Sequence, residues 1–551
     1  MKSVMAIHAN LRTNKQYFIA LFCIIIFVIY DSGNFYRNTL SLMHTNSSLI
    51  IRYLKVAALF PIAAISYYSV VCCLFSRSRV MVMLGASLVV GGILNAFAFA
   101  MTGSFLDAMM LGVALQERFF ASHFIAANWK MISYVTIYSV VIFAVLAVVR
   151  RRLSIACSGR LAGTLVIVAM MANIFIANYT GGRRSAFFSY NAIIASAQAL
   201  TATKVPFGPR AKVADIPCPQ CPDLLVYIID ESVNYEALAA MQSMILQDAV
   251  LKKKLGVPTY VFRSYAAGNH SAVSNYVLRL GVGKSAYPDK TYATLRLPNI
   301  FGYAKSSHYT TIFYDAQEES KRLVNYMSQY DLVDIDRFMV SDASSDLYDR
   351  DLLALDRLQG FIDQARPDRR IAVVLVKNGV HFPYVNSVPP WLMDGLPAGC
   401  RSPDTSFSAQ ALFCKKAQYE TALKFSVDRF MDKLFSVLSG KNFALVYTSD
   451  HGQNLSSKYS LPHGSTENTS ECEISVPILV AGKIFGDTMP PTGIRSHFQI
   501  PPTLLRILGR ASPDPVRDST LWEPWRGGSE FLFEPFDRPG EWRHPVAACA
   551  Y

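Results

Sequence analysis

The 551-residue sequence shows no internal repeat and no low-complexity tract, which sets aside repeat architectures. It is short of acid. Forty Asp and Glu stand against 53 Lys and Arg, a formal charge of +13. Such an excess suits nucleic acid or an anionic surface. No basic stripe with interleaved aromatics is present, so nucleic acid is set aside and the surface is favoured. The first apolar run has a long polar flank and no small-residue cleavage site after Tyr30, so it is expected to stay as a span and not to be cleaved.

Apolar residues are plentiful instead, at 52% of the chain, and they crowd into its first third. Residues 17–30, 53–75, 80–102, 132–149 and 160–178 form five apolar runs, the last four close to the length a bilayer core demands. They carry few charges, whereas a transport path usually needs them, so a transporter is disfavoured. Lys2, Arg12 and Lys15 precede the first run, Arg77 and Arg79 follow the second, and Arg150, Arg151, Arg152 and Arg160 follow the fourth. With five spans these segments share one side, which the positive-inside rule makes cytoplasmic. Everything after residue 178 is then expected outside. Residues 179–222 read as a connecting arm, with 184–201 as an amphipathic helix along the membrane face. Residues 223–551 read as a soluble domain.

Of ten cysteines, Cys23, Cys72 and Cys73 fall in the apolar runs. Cys400 and Cys414 bracket a polar loop where a disulfide suits an oxidising compartment. Cys218 and Cys221 form a CxxC that reads equally as a short disulfide, a redox pair or metal ligands. Cys472 and Cys549 have no assignment from spacing.

In the soluble part, LLVYIID (224–230), IAVVLVKN (371–378) and NFALVYTSD (442–450) are buried-strand runs, and ISVPILVAG (474–482) resembles them. Helical periodicity over 350–364 and 415–438 separates them. This alternation predicts a mainly parallel sheet covered on both faces. Ligands of such sheets bind beyond the carboxyl ends of strands. There the chain places Asp230-Glu231-Ser232, Asn378-Gly379-Val380-His381 and Ser449-Asp450-His451-Gly452, followed by Leu461-Pro462-His463-Gly464. Carboxylate oxygens and imidazole nitrogens are the ligands of catalytic zinc. Ser271, in SYAAGNHSAVSNYVLRL, sits where small residues open a helix, and Ser264 and Ser274 compete with it as nucleophile.

Together these segments resemble the phosphoethanolamine transferases of Gram-negative envelopes, within the alkaline-phosphatase/sulfatase superfamily. The resemblance implies an α/β protein: an N-terminal five-helix transmembrane domain over 1–178, the arm over 179–222, and a sulfatase-like doubly wound catalytic domain over 223–551. It implies a bacterial inner-membrane protein, monomeric, with the catalytic domain in the periplasm. Zinc would be held by Glu231, Asp450, His451 and the nucleophile Ser271, with room for a second ion near His381 or His463. His381, His463 and, less directly, Lys321 would bind substrate phosphate. The Cys400–Cys414 loop before Tyr419-Glu420 resembles a family disulfide loop. The chain departs from the pattern in Ser271 for threonine, Asp230 for glycine, and Asn275-Tyr276 for a small residue and proline, which marks a divergent member. The implied reaction moves phosphoethanolamine from phosphatidylethanolamine to lipid A or a core sugar through a phospho-serine. A phosphoglycerol transferase acting on periplasmic glucan or polymer, a membrane-anchored phosphodiesterase and a metal-free scaffold are the rivals. Sulfate ester hydrolysis is disfavoured, because Ser271 lacks the Pro and Arg that follow the sulfatase nucleophile.

Overall fold

The computed structural model describes residues 49–102, 157–179, 189–201, 205–366, 369–401, 409–455, 462–464, 469–514, 517–533 and 540–551, with scattered positions between 106 and 148. The expected span 17–30 lies outside the described residues, as do half of 132–149, positions 402–408 and Leu461. Two compact units form, Met1–Thr203 and Lys204–Tyr551, and the break falls within the stretch expected as the arm.

The first unit contains helices α1 (Leu49–Leu74), α2 (Arg79–Thr102), α3 (Gly159–Tyr179) and α4 (Ser189–Thr201). Counting described residues alone, no helix is long and apolar enough to cross a membrane. Val70, Val71, Leu88, Ala162 and Ala169 build its core. Polar cross-links join the helices inside it. Asn173 Nδ2 donates to Ser66 Oγ (2.7 Å), Ser69 Oγ and Tyr190 OH lie 2.6 Å apart, and Asn191 Nδ2 donates to Asn95 Oδ1 (2.7 Å). Within the helix expected along a membrane face over 184–201, Tyr190 and Ile194 pack into this core. Buried hydrogen-bonded partners hold it there, since each polar group would be costly left alone.

The second unit is built on an eight-stranded sheet in the order β4-β3-β5-β1-β6-β7-β2-β8. Its strands are β1 (Leu224–Asp230), β2 (Thr259–Tyr265), β3 (Tyr309–Asp315), β4 (Arg337–Val340), β5 (Arg370–Val376), β6 (Phe443–Ser449), β7 (Ser475–Gly482) and β8 (Arg495–Ser496). Successive side chains of a strand face opposite ways, and β1 shows what that requires. Leu224, Val226 and Ile228 enter one core cluster, and Leu225, Tyr227 and Ile229 enter the other. Both faces are covered, so every residue of β1 is buried. Each large aliphatic side chain so buried contributes roughly 1.5–3 kcal/mol.

Strands β5, β1 and β6 are neighbours and parallel, with Ile229 opposite Val376 and Asp230 opposite Ser449. Their carboxyl ends therefore open onto one edge. Strand β7 runs antiparallel to both β6 and β2, which returns β2 to the common direction. The exit of β2 thus reaches the same edge, and helix α5 (Ser271–Arg279) starts six residues later. The periodicity over 350–364 becomes helix α6 (Arg350–Gln364). The helix expected over 415–438 begins earlier, at Ala409, and is interrupted by a π-helical turn over Lys424–Asp428.

Three disulfides staple this unit: Cys218–Cys221, Cys400–Cys414 and Cys472–Cys549. The third closes a loop of 77 residues, and the strand-like stretch beside it is paired through Glu471 N to Ala547 O (2.8 Å) and Val546 N to Thr469 O (2.9 Å). Cys549→Ser should lower the stability of this unit by about 2–5 kcal/mol, the usual loss for a native bridge. A denaturant midpoint unchanged from the parent, measured under oxidising conditions, would show that the pairing holds without the bond.

Candidate metal and nucleophile site

Asp230 ends β1, and the chain turns at once. Ser232 adopts a left-handed backbone conformation (φ 64°), rare for a side chain with a Cβ. Hydrogen bonds hold it there: Tyr419 OH donates to its carbonyl (2.6 Å), Gln453 Nε2 donates to its Oγ (2.7 Å), and its own Oγ donates to Glu231 Oε1 (2.6 Å). The local strain is spent on aiming Glu231.

Asp450 and His451 follow β6 directly. Asp450 Oδ1 accepts from the amides of Ser232 (3.1 Å) and His451 (2.7 Å). His451 Nδ1 donates to the Gly452 carbonyl (3.0 Å), so its Nε2 carries the lone pair. That nitrogen lies 3.4 Å from Glu231 Oε1 and 3.6 Å from Asp450 Oδ2. Gly452 is hemmed in: a Cβ there would stand 2.2 Å from the Cys472 carbonyl and 2.8 Å from that of Ser475.

Ser271 is the first residue of α5, and its Oγ donates to Glu231 Oε2 (3.2 Å) and stands 3.2 Å from His451 Nε2. The free amides of a helix start favour negative charge on such an oxygen. The competing serines are committed elsewhere. Ser274 is fully buried with its Oγ on both the amide and carbonyl of Gly268, and Ser264 is buried inside β2.

Glu231, Asp450 and His451 place one ligand atom each within 4.8 Å of one another, and all three are buried. Asp450 Oδ2 is buried without a hydrogen-bond partner. Burial, and then the charge of Glu231, push its carboxyl well above the usual range. Two crowded carboxylates and a neutral imidazole nitrogen are the chemistry of a divalent-cation site, and zinc suits this donor set. The residues present therefore fit such an ion.

Beside this set, the His463 ring stacks on His451 (centroids 4.2 Å, 27° between planes), and His381 meets His463 edge-on at 6.4 Å. Burial, and then the neighbouring imidazoles, hold His463 well below its ordinary value, so its ring is neutral. His381 Nδ1 lies 2.7 Å from the Phe382 carbonyl, to which it donates. Lys321 is solvent-exposed, in the loop after β3. Four residues before it, Gln317 reaches the site, donating through Nε2 to Glu231 Oε2 (2.9 Å) and to the Lys377 carbonyl (3.0 Å).

Gln317, Gln453 and Lys377 were not among the residues singled out from sequence. Gln317 had a usable signal, since it stands just past the end of β3 as Glu231 does past β1. Two more histidines also join the neighbourhood. His270 precedes the nucleophile, its Nε2 is buried with no hydrogen-bond partner, and burial followed by His451 pushes it down to about 3. His497 accepts from the Ala267 amide at Nδ1 (3.1 Å) and faces Thr448 Oγ1 with Nε2 (3.0 Å), tying the nucleophile loop to β6.

Residues 224–510, more than half of the chain, match the family model described as Sulfatase. No curated protein matches the chain in sequence. Among solved structures, the integral membrane lipooligosaccharide phosphoethanolamine transferase A from Neisseria meningitidis aligns at 13% identity over 89% of this chain and 95% of that one, with a TM-score of 0.57. The zinc complex of the C-terminal periplasmic domain of EcEptC from Escherichia coli aligns at 16% identity over 58% and 95% of the two chains, with a TM-score of 0.44. Phosphonate monoester hydrolase of Agrobacterium radiobacter aligns at 13% identity over 57% and 80%, with a TM-score of 0.41. With the strand-end acids and histidines gathered at one edge of such a sheet, the chain belongs to the Sulfatase family.

Proposed function

We propose that the protein is a membrane-associated phosphotransferase that takes phosphoethanolamine from a phospholipid onto Ser271 and passes it to an envelope glycolipid. One observation carries this reading: a hydroxyl at a helix start stands 3.2 Å from both Glu231 Oε2 and His451 Nε2, inside a set of metal-ligand type. The fold likeness, over 89% of the chain, to an integral membrane lipooligosaccharide phosphoethanolamine transferase supports the membrane and the donor class. The apolar runs of the first third, including 53–75, 80–102 and 160–178, support a multi-pass anchor with the catalytic unit outside the cytoplasm.

Glu231, Asp450 and His451 would hold a zinc ion, which supplies positive charge that makes the neighbouring hydroxyl more acidic and offsets charge on the phosphoryl oxygens. Ser271 Oγ, its proton directed at Glu231 Oε2, attacks the phosphorus of the donor. The bond to the diacylglycerol oxygen breaks, and diacylglycerol leaves with a proton. The amides at the start of α5 and the rings of His381 and His463 receive the equatorial oxygens. A sugar hydroxyl or lipid phosphate then attacks the phospho-serine, the P–Oγ bond breaks, and Ser271 recovers its proton. Lys321, exposed in the loop after β3, is the third group assigned to the phosphate.

The sulfatase family name alone would suggest sulfate esters. The residues after Ser271 (Ala272-Val273-Ser274-Asn275) lack the proline and arginine expected there for that chemistry. Incubating the detergent-solubilised protein with phospholipid and weighing the trapped adduct on Ser271 tests the donor. A phosphoethanolamine mass is expected. A phosphoglycerol mass would move the assignment to the glycerol-transferring rival, and no adduct at all would defeat the covalent route.

Ser271→Ala should abolish the adduct and transfer while zinc is still bound, and Glu231→Ala should cost zinc as well as transfer, both read by metal analysis beside an activity assay. Adduct formation persisting in Ser271→Ala would move the nucleophile elsewhere. The raised Asp450 carboxyl sets a pH dependence. In the metal-free protein Asp450 keeps its proton to higher pH than an ordinary carboxyl, and a ligand must be ionised. Zinc binding should therefore release about one proton and weaken as pH falls, as calorimetry in buffers of different ionisation enthalpy will report. Affinity independent of pH across the acid range would contradict this.

A further inference from the structure

Behind the metal-ligand set lies a second group of charges that the reaction above does not use. Lys377, the first residue after β5, is fully buried. Its Nζ is 2.5 Å from Asp230 Oδ2 and 3.7 Å from Asp351 Oδ2, and rests 4.3 Å from the centroid of the Phe430 ring. Tyr447 OH donates to the same Asp230 oxygen (2.8 Å), and the other, Oδ1, accepts from the Glu231 amide (2.9 Å). Asp351, on α6, accepts from the amides of Asn378 (2.7 Å) and Gly379 (3.1 Å). Gly379 has φ 54°, and a Cβ there would stand 2.6 Å from Asp230 Oδ1 and 2.7 Å from the Glu231 carbonyl. Val380 N then donates to that carbonyl (3.1 Å), one residue before His381.

Four buried carboxylates, Asp230, Glu231, Asp351 and Asp450, thus crowd one sheet edge. An unpaired buried charge is expensive, and removing one member of a buried pair usually costs more than removing both. We propose that the Lys377–Asp230 pair, with Asp351, is a positioning device: it fixes Glu231 and the turn before His381 in one register, and it gives the buried Lys377 Nζ and the two rear carboxylates one another as partners. This inference rests on the zinc reading given above. Lys377 touches no substrate in it and acts through Glu231 and the turn.

The test uses the full-length detergent-solubilised protein and zinc alone, so it does not depend on the donor or acceptor. Zinc binding by the parent protein checks the metal reading first. Lys377→Met and Asp230→Asn should each weaken zinc binding roughly tenfold or more, the range seen when groups behind metal ligands are removed. The double variant Asp230→Asn/Lys377→Met should recover most of that loss, with the metal-free melting temperature measured on each to separate affinity from stability. Should Lys377→Met fail to fold, a folded, zinc-binding double variant supports the pair equally. Zinc affinity in the double variant that falls by the product of the single losses, or parent-like affinity in both single variants, overturns the proposal.

Discussion

Two carboxylates, Glu231 and Asp450, are forced together at the edge of a sheet whose faces are sealed by apolar side chains. Water is excluded from both, and one oxygen of Asp450 has no partner at all. Such crowding is unfavourable unless positive charge arrives, because burial and like charge both oppose ionisation. Nearly every polar contact around the edge answers this demand. Ser232 gives up a relaxed backbone to turn its hydroxyl onto Glu231, the Gly452 carbonyl fixes the tautomer of His451, and Gln317 caps the remaining Glu231 oxygen. The nucleophile is placed by the same geometry, since β2 runs parallel to β1 only because the antiparallel β7 stands between β6 and β2.

Much of this was legible in the sequence because each component follows an apolar run. Glu231 comes after LLVYIID, Asp450 and His451 after NFALVYTS, and His381 shortly after IAVVLV. A buried parallel strand can end only where the chain meets water or a ligand, so polar residues at such points carry information about chemistry. Ser271 was harder, because its strand, TYVFRSY, mixes polar and apolar residues and lies toward the edge of the sheet. The resemblance to a family, more than periodicity, pointed to it over Ser264 and Ser274.

What stayed hidden depends on contacts between segments distant in sequence. Lys377 reads as a residue just past a strand, and nothing local reveals that Asp230, 147 positions earlier, stands against it. Gln317 and Lys321 lie in one polar loop, and only the folded chain shows which reaches Glu231. The direction of β7 was equally illegible, since a fully buried antiparallel strand has the same apolar composition as a parallel one. The π-helical turn at Lys424–Asp428 sits where Ser426 meets Lys377, a tertiary demand laid over an otherwise regular helix.

Gly452 brings a consequence of another kind. Its missing side chain lets the segment through Cys472 and Ser475 lie directly against the turn after His451. Any heavier residue would push the two backbones apart and carry His451 with them. The histidine-bearing turn and the bridged strand entry behind it are therefore mechanically one piece, and a displacement of either is felt at the imidazole.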